Sequence, residues 1–115
     1  MFRVGYRVRL KSEPSVGAEL GKVTLLDKLV VLVKWDKSGE LAHHPKELSL
    51  VYNHKLDRDV GETANYMVKI AYYHEVTVSV RWGDEWIVAE PGESLEKVLT
   101  RLETSTDRQQ EEAGI

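Results

Sequence analysis

The 115-residue chain contains no cysteine. That excludes a disulfide framework, a thiolate metal site and a cysteine nucleophile. No uninterrupted apolar run approaches the roughly 18 residues a membrane helix needs, and the opening MFRVGYRVRL lacks an apolar stretch of signal-peptide length. The expectation is a cytoplasmic protein with no membrane partner. A Walker loop, a dinucleotide fingerprint, internal repeats and low-complexity runs are all missing. What is present is ordinary for a folded domain. Apolar residues make up 42% and charged residues 30%, enough for one packed interior or two very small modules sharing a core.

The net charge of −3 hides an asymmetry: residues 1–52 carry nine Lys/Arg against six Asp/Glu, and residues 53–115 carry seven against thirteen. The basic first half leaves room for an anionic partner, and the acidic second half weakens that case.

The first half is patterned as strands. In Val4–Leu10 the residues Val4, Tyr6, Val8 and Leu10 alternate with Arg3, Arg7, Arg9 and Lys11, so period two puts an apolar set and a basic set on opposite faces. The loop SEPSVGAELG follows, with Pro14, Gly17 and Gly21 as breakers. Lys22–Leu26 is a second strand. Leu29–Trp35 (LVVLVKW) is expected to be a central strand covered on both faces. Asp36–Gly39 is a hairpin turn, Glu40–His43 a fourth strand, Pro45–Leu48 a single helical turn with proline at its start, and Leu48–Tyr52 a closing strand. The expected class is mainly β, or α+β, with a small five-stranded barrel at 1–52.

In the second half, 53–65 (NHKLDRDVGETAN) is expected to be a linker. Tyr66–Tyr72 is expected as a strand, with a helix from about Glu62 as the rival. Glu75–Trp82 alternates, with Val76, Val78, Val80 and Trp82 on one face and Thr77, Ser79 and Arg81 on the other. Gly83–Asp84 turns the chain into Glu85–Ala89, where Trp86 is placed to pair with Trp82 across the hairpin. Ser94 caps a helix whose Leu95, Val98, Leu99 and Leu102 form one stripe. A strands-plus-helix unit therefore spans 66–104, and 105–115 is expected to be a flexible tail.

Val4-Gly5-x-x-Val8-x-Leu10, Gly17-x-x-x-Gly21-x-Val23, Val31-x-Val33-x-Trp35-Asp36 with Gly39, and His44-Pro45-x-x-Glu47-Leu48 together resemble the small SH3-like barrels of the KOW and Tudor-like group. Related modules occur in mind-bomb-type, bacterial and phage proteins. The resemblance covers residues 1–52 and implies a five-stranded barrel that binds another macromolecule, in the transcription or translation machinery or as a phage accessory protein. A Tudor-type methyl-lysine cage would have only Phe2, Tyr6, Trp35 and Tyr52 to draw on. The hairpin and Pro91–Leu99 are similar to the opening ββα of ubiquitin-like β-grasp folds, without the later strands or a terminal Gly-Gly.

Candidate chemistry is sparse. Adjacent His43 and His44 point to opposite faces of a strand, and neither they nor His54 and His74 have zinc-ligand spacing. Asp57/Asp59, Asp84/Glu85 and Glu111/Glu112 lie in turns, the linker or the tail, and no serine sits in a nucleophile elbow. The expectation is no enzyme, no metal and no cofactor. The leading reading is a protein-binding adaptor or regulatory protein, with Tyr72, Tyr73, Trp82 and Trp86 as a protein-contact surface. The alternatives are a nucleic-acid-binding module using Arg3, Arg7, Arg9, Lys11 and Lys37 beside Tyr6 and Trp35, and a homo-oligomeric structural protein.

Overall fold

Alternation in the first strand holds from Tyr6 onward: Val8 is fully buried and Tyr6 and Leu10 pack against the core, whereas Val4, expected on the same face, is 62% exposed in a turn before the strand begins. The computed structural model describes residues 1–53 and 59–113. Within them lie β1 (Arg7–Leu10), β2 (Gly21–Leu26), β3 (Val31–Trp35), β4 (Gly39–His43), a 3-10 turn (Pro45–Glu47), β5 (Leu48–Tyr52), α1 (Val60–His74), β6 (Val78–Trp82), β7 (Glu85–Ala89) and α2 (Leu95–Ala113). The protein is an α+β fold on one mixed seven-stranded sheet of order β4-β3-β2-β1-β5-β6-β7.

β1 to β4 form an antiparallel meander, with β5 returning antiparallel beside β1. The order is open, with β4 and β7 at its ends, so the first five strands do not close on themselves. β5 does not act as a closing strand, because its other flank takes β6 in parallel, pairing Leu50 with Val78, Val51 with Ser79 and Tyr52 with Val80. Parallel neighbours need a crossover. α1 supplies it, and this is why 66–72 is helical where a strand was expected. Asp59 caps α1, its carboxylate accepting from the Glu62 N–H at 2.7 Å. Val60, Ala64, Met67 and Ala71 keep helical spacing, and the last three are fully buried. The helix thus begins inside the expected linker; the remainder of that linker, 54–58, with His54 and Asp57, lies outside the described residues.

β3 is not covered on both faces. Val31, Val33 and Trp35 are buried, Leu32 is half-buried and Lys34 exposed, while Leu29 and Val30 project from the β2–β3 tip. Gly39 and Gly83 serve the β3–β4 and β6–β7 turns at positive φ, 81° and 67°.

Both helices pack against β6, β7 and each other. Trp82 shares its face with the buried Val78 and Val80, and its indole N–H donates to Thr106 Oγ1 of α2 at 2.8 Å, so this is the helix-covered side. Ser94 caps α2, accepting from the Lys97 N–H. The expected flexible tail is instead the second half of α2. Its inward stripe continues in polar residues: Ser105 is buried, and the Gln109 amide donates to the Trp82 carbonyl and to Ser105 Oγ, each at 2.8 Å. Among the described residues, no helix is long and apolar enough to cross a membrane.

Candidate functional site

The basic set of the first strand does not form one stripe. Arg3 precedes β1 and Lys11 follows it, both exposed. β1 lies between β2 and β5 and is not an edge strand. Arg7 forks onto the Asp36 carboxylate at 3.2 and 2.9 Å. That bond raises the Arg7 pKa and lowers that of Asp36. The pair is solvent-facing, so its contribution to stability is small. The register sets Arg7 opposite Lys22, Lys22 opposite Lys34, and Lys34 opposite Glu40. Three cations therefore stand side by side across three strands. Like charges directly opposite are destabilising, so the row is a place where a bound anion would relieve repulsion. Lys37 sits apart in the β3–β4 turn, where its N–H and that of Ser38 donate to the Glu19 carboxylate. Ser38 Oγ also donates there, the largest cause of the lowered Glu19 pKa. The arrangement ties the turn down.

The aromatic residues are scattered. Tyr72 and Tyr73 end α1, 65% and 76% exposed, edge to face at 5.4 Å. Trp82 opposes Glu85, and Trp86 opposes Arg81. The two tryptophans therefore lie on opposite faces of the hairpin and do not pair. Tyr6 meets His74, Tyr52 stacks on Tyr66, and Trp35 is buried against His43. His43 is not a free surface residue. Its Nε2 accepts from the Trp35 indole at 3.0 Å, which leaves Nδ1 to donate to Glu47 at 2.9 Å. His44 caps the 3-10 turn, its Nδ1 accepting from the Lys46 N–H.

Arg9 is the outlier, only 6% exposed. Its Nη1 donates to Ser79 Oγ and its Nη2 to the Glu13 carbonyl, both at 3.0 Å. The guanidinium carbon lies 4.9 Å from the centre of a Trp86 ring. Burial lowers its pKa. The pattern that marked Arg9 as outward-facing is correct about its face. It does not reveal that the 11–20 loop covers that face, with the Trp86 indole donating to the Ser15 carbonyl at 3.1 Å.

One sizeable concavity has no signature in the sequence because six separate segments build it. It is a cleft of about 700 Å³ beneath the N-terminal residues. Phe2, Leu26, Val31, Leu48 and Val76 give it apolar walls. Lys11, Lys28 and Lys46 line it together with Asp27, Glu75 and Glu90. Glu75 ends α1 in the left-handed region, φ 53°, which turns the chain sharply into β6. Thr77 Oγ1 holds the Glu90 carboxylate at 2.8 Å.

A second groove, about 570 Å³, runs between β7 and α2. Arg101 spans it, donating to the Val88 carbonyl at 2.8 Å on the outer flank of β7 and to the Glu93 carboxylate. This guards a sheet edge with charge. The bond to Arg101, chiefly, lowers the Glu93 pKa to about 2. A depressed carboxyl contributes stability that is complete above the unfolded range near ~4.3 and is lost as pH falls toward the folded value. Glu93→Gln should therefore be less stable than the parent by about 1 kcal/mol at neutral pH, since Arg101 is partly solvated. The difference should close as pH falls from ~4.3 toward 2, read by urea denaturation across that range.

Asp84, Glu85, Glu111 and Glu112 do not converge on either concavity as a pair, though Glu85 lines the second groove and meets Arg108. No family model, curated protein or solved structure matches this chain.

Proposed function

We propose that this chain is a non-catalytic module that binds another protein, and that the cleft beneath Phe2 receives it. The observation that carries this reading is the cleft's composition: apolar walls with lining charges of both signs suit a protein segment that brings apolar side chains and a few charges of its own. Leu29, 75% exposed at the neighbouring β2–β3 tip, and Met1, 79% exposed on the lip, add apolar surface with no described cover. We read residues 1–52 as an SH3-like unit. Support comes from the pairing pattern: a four-strand meander, a fifth strand beside the first, and a 3-10 turn between the fourth and fifth.

The cation row favours a second reading, nucleic-acid binding through Arg7, Lys22 and Lys34. One experiment separates the two. A photo-crosslinking residue replaces Lys28 in the cleft lining in one variant and Lys22 in the cation row in another, and both are irradiated in the native cell with and without nuclease afterwards. Protein binding at the cleft gives a discrete nuclease-resistant adduct from position 28. An adduct from position 22 that nuclease destroys, with none from position 28, overturns the protein reading in favour of nucleic acid.

A further inference from the structure

A charge buried in a protein is ordinarily paired with an opposite charge. Arg9 is not. It is buried to 6% exposure, and no carboxylate among the described residues makes an ion pair with it. Its Nε–H is buried without a hydrogen-bond partner among the described residues. The partners it does have are neutral. Ser79 accepts from Nη1 and lies 2.6 Å from Ser49 Oγ, and Ser49 donates to the Thr77 carbonyl at 3.2 Å. With the Ser49 proton committed to that carbonyl, Ser79 must donate to Ser49. The hydroxyls thus form a directed chain leading away from the guanidinium, and every dipole in it is oriented by a positive charge at its head.

The cover over this group is light. The 11–20 loop is anchored at its ends, where the Lys11 N–H donates to the Glu47 carbonyl, the Glu19 carboxylate accepts from Lys37 and Ser38, and the Leu20 carbonyl accepts from the Asp36 N–H; its middle is tied to the sheet face by the bonds from Arg9 Nη2 to the Glu13 carbonyl and from the Trp86 indole to the Ser15 carbonyl. Residues 11–15 and 17 are exposed and Val16 is half-buried, whereas 18–20 are half-buried, so little apolar area holds down the 12–17 stretch between the anchored ends. Lifting it would bare a guanidinium with a free Nε–H, the Ser79 hydroxyl beside it, and the Trp86 ring against its plane.

We propose that this face is an oxyanion site, in which Arg9 takes the phosphate or carboxylate group of a ligand through Nε and a neighbouring Nη when the 12–17 stretch of the loop lifts. The geometry suits it: a guanidinium fork matches two oxygens of such a group, and a nearby hydroxyl supplies a further donor. The anion would replace the Glu13 carbonyl as partner and give the buried cation the opposite charge it lacks. The site uses none of the side chains lining the cleft, so it stands or falls separately from the protein-binding reading.

The test is nitrogen-15 NMR of the full chain, following the Arg9 Nε–H resonance, assigned by through-bond correlation to its own backbone amide. Inorganic phosphate and acetate are titrated separately against chloride at matched ionic strength. A saturable shift with phosphate or acetate and none with chloride is expected, and the tighter of the two names the group. Trp86→Phe removes one loop fastening while keeping the ring, and should tighten binding about fivefold, the equivalent of one neutral hydrogen bond. Arg9→Lys keeps the charge without the fork and should lose the anion-dependent rise in unfolding temperature. An Arg9 resonance indifferent to both anions, or an Arg9→Lys variant stabilised by phosphate as much as the parent, overturns the proposal. The resonance and the Trp86→Phe comparison decide it even if Arg9→Lys folds poorly.

Discussion

Leu102→Ala is expected to destabilise the protein by about 3 kcal/mol, the middle of the range for emptying a fully buried leucine site. Leu102 is 0% exposed and belongs to the core cluster with Met67, Val80 and Ile87. With Val98, also 0% exposed, it belongs to the buried stripe of α2, the helix that packs on α1, β6 and β7. Loss of its side chain removes transfer free energy and leaves a void between close-packed elements. Leu95→Ala on the same helix, at a position 44% exposed, should cost well under 1 kcal/mol by comparison. Thermal and urea unfolding of the two variants side by side measure the difference. Equal losses would mean that α2 is not docked on the sheet.

Gly21→Val should have a comparable effect by the opposite cause. Gly21 lies between Val8 and Trp35 in the register. A Cβ there would stand 2.8 Å from Trp35 Cε3 and would overlap Val33 Cγ1. Neither neighbour is a flexible tip: both are buried core side chains. Overpacking of that kind costs about 3 kcal/mol at its upper range. The displaced indole would also lose its bond to His43, so a change in tryptophan emission should accompany the lower midpoint. Gly17→Ala is the control. Its Cβ would meet only Ser15 Oγ, at 3.6 Å, an ordinary contact, and stability should stay within about 0.5 kcal/mol.

Local patterns in the sequence reveal those parts of the fold that local patterns determine. The alternation of Arg7–Leu10 and Val78–Trp82, the DKSG and Gly83–Asp84 turns, the His44-Pro45 turn and the Ser94 cap each depend on near neighbours, and each is where the sequence places it; the strands expected from Val4 and from Glu75 begin later, because Val4 lies 62% exposed in a turn and Glu75 closes α1. α1 was misread because its buried stripe is Thr63, Ala64, Met67 and Ala71, residues that carry little apolar signal, whereas the conspicuous Tyr66, Tyr72 and Tyr73 point outward. The second half of α2 was misread for a related reason: its inward residues Ser105, Thr106 and Gln109 pack through hydrogen bonds to β6. Arg9 shows a third limit. Its face follows from period two, but its burial depends on a loop and on Trp86, 77 positions away along the chain. The cleft, drawn from six separate segments, has no sequence signature at all.

The parallel seam between Leu50–Tyr52 and Val78–Val80 bears on any attempt to use the first half of the chain by itself. A fragment ending at Tyr52 would retain every hairpin of its meander and yet expose one whole flank of its last strand, with Leu48, Leu50 and Tyr52 deprived of their covering. Such a flank is an adhesive template for any extended chain. The excised piece would gel or exchange strands with its copies, so transplanting it as a tag or fusion requires that residues up to at least Ala89 travel with it.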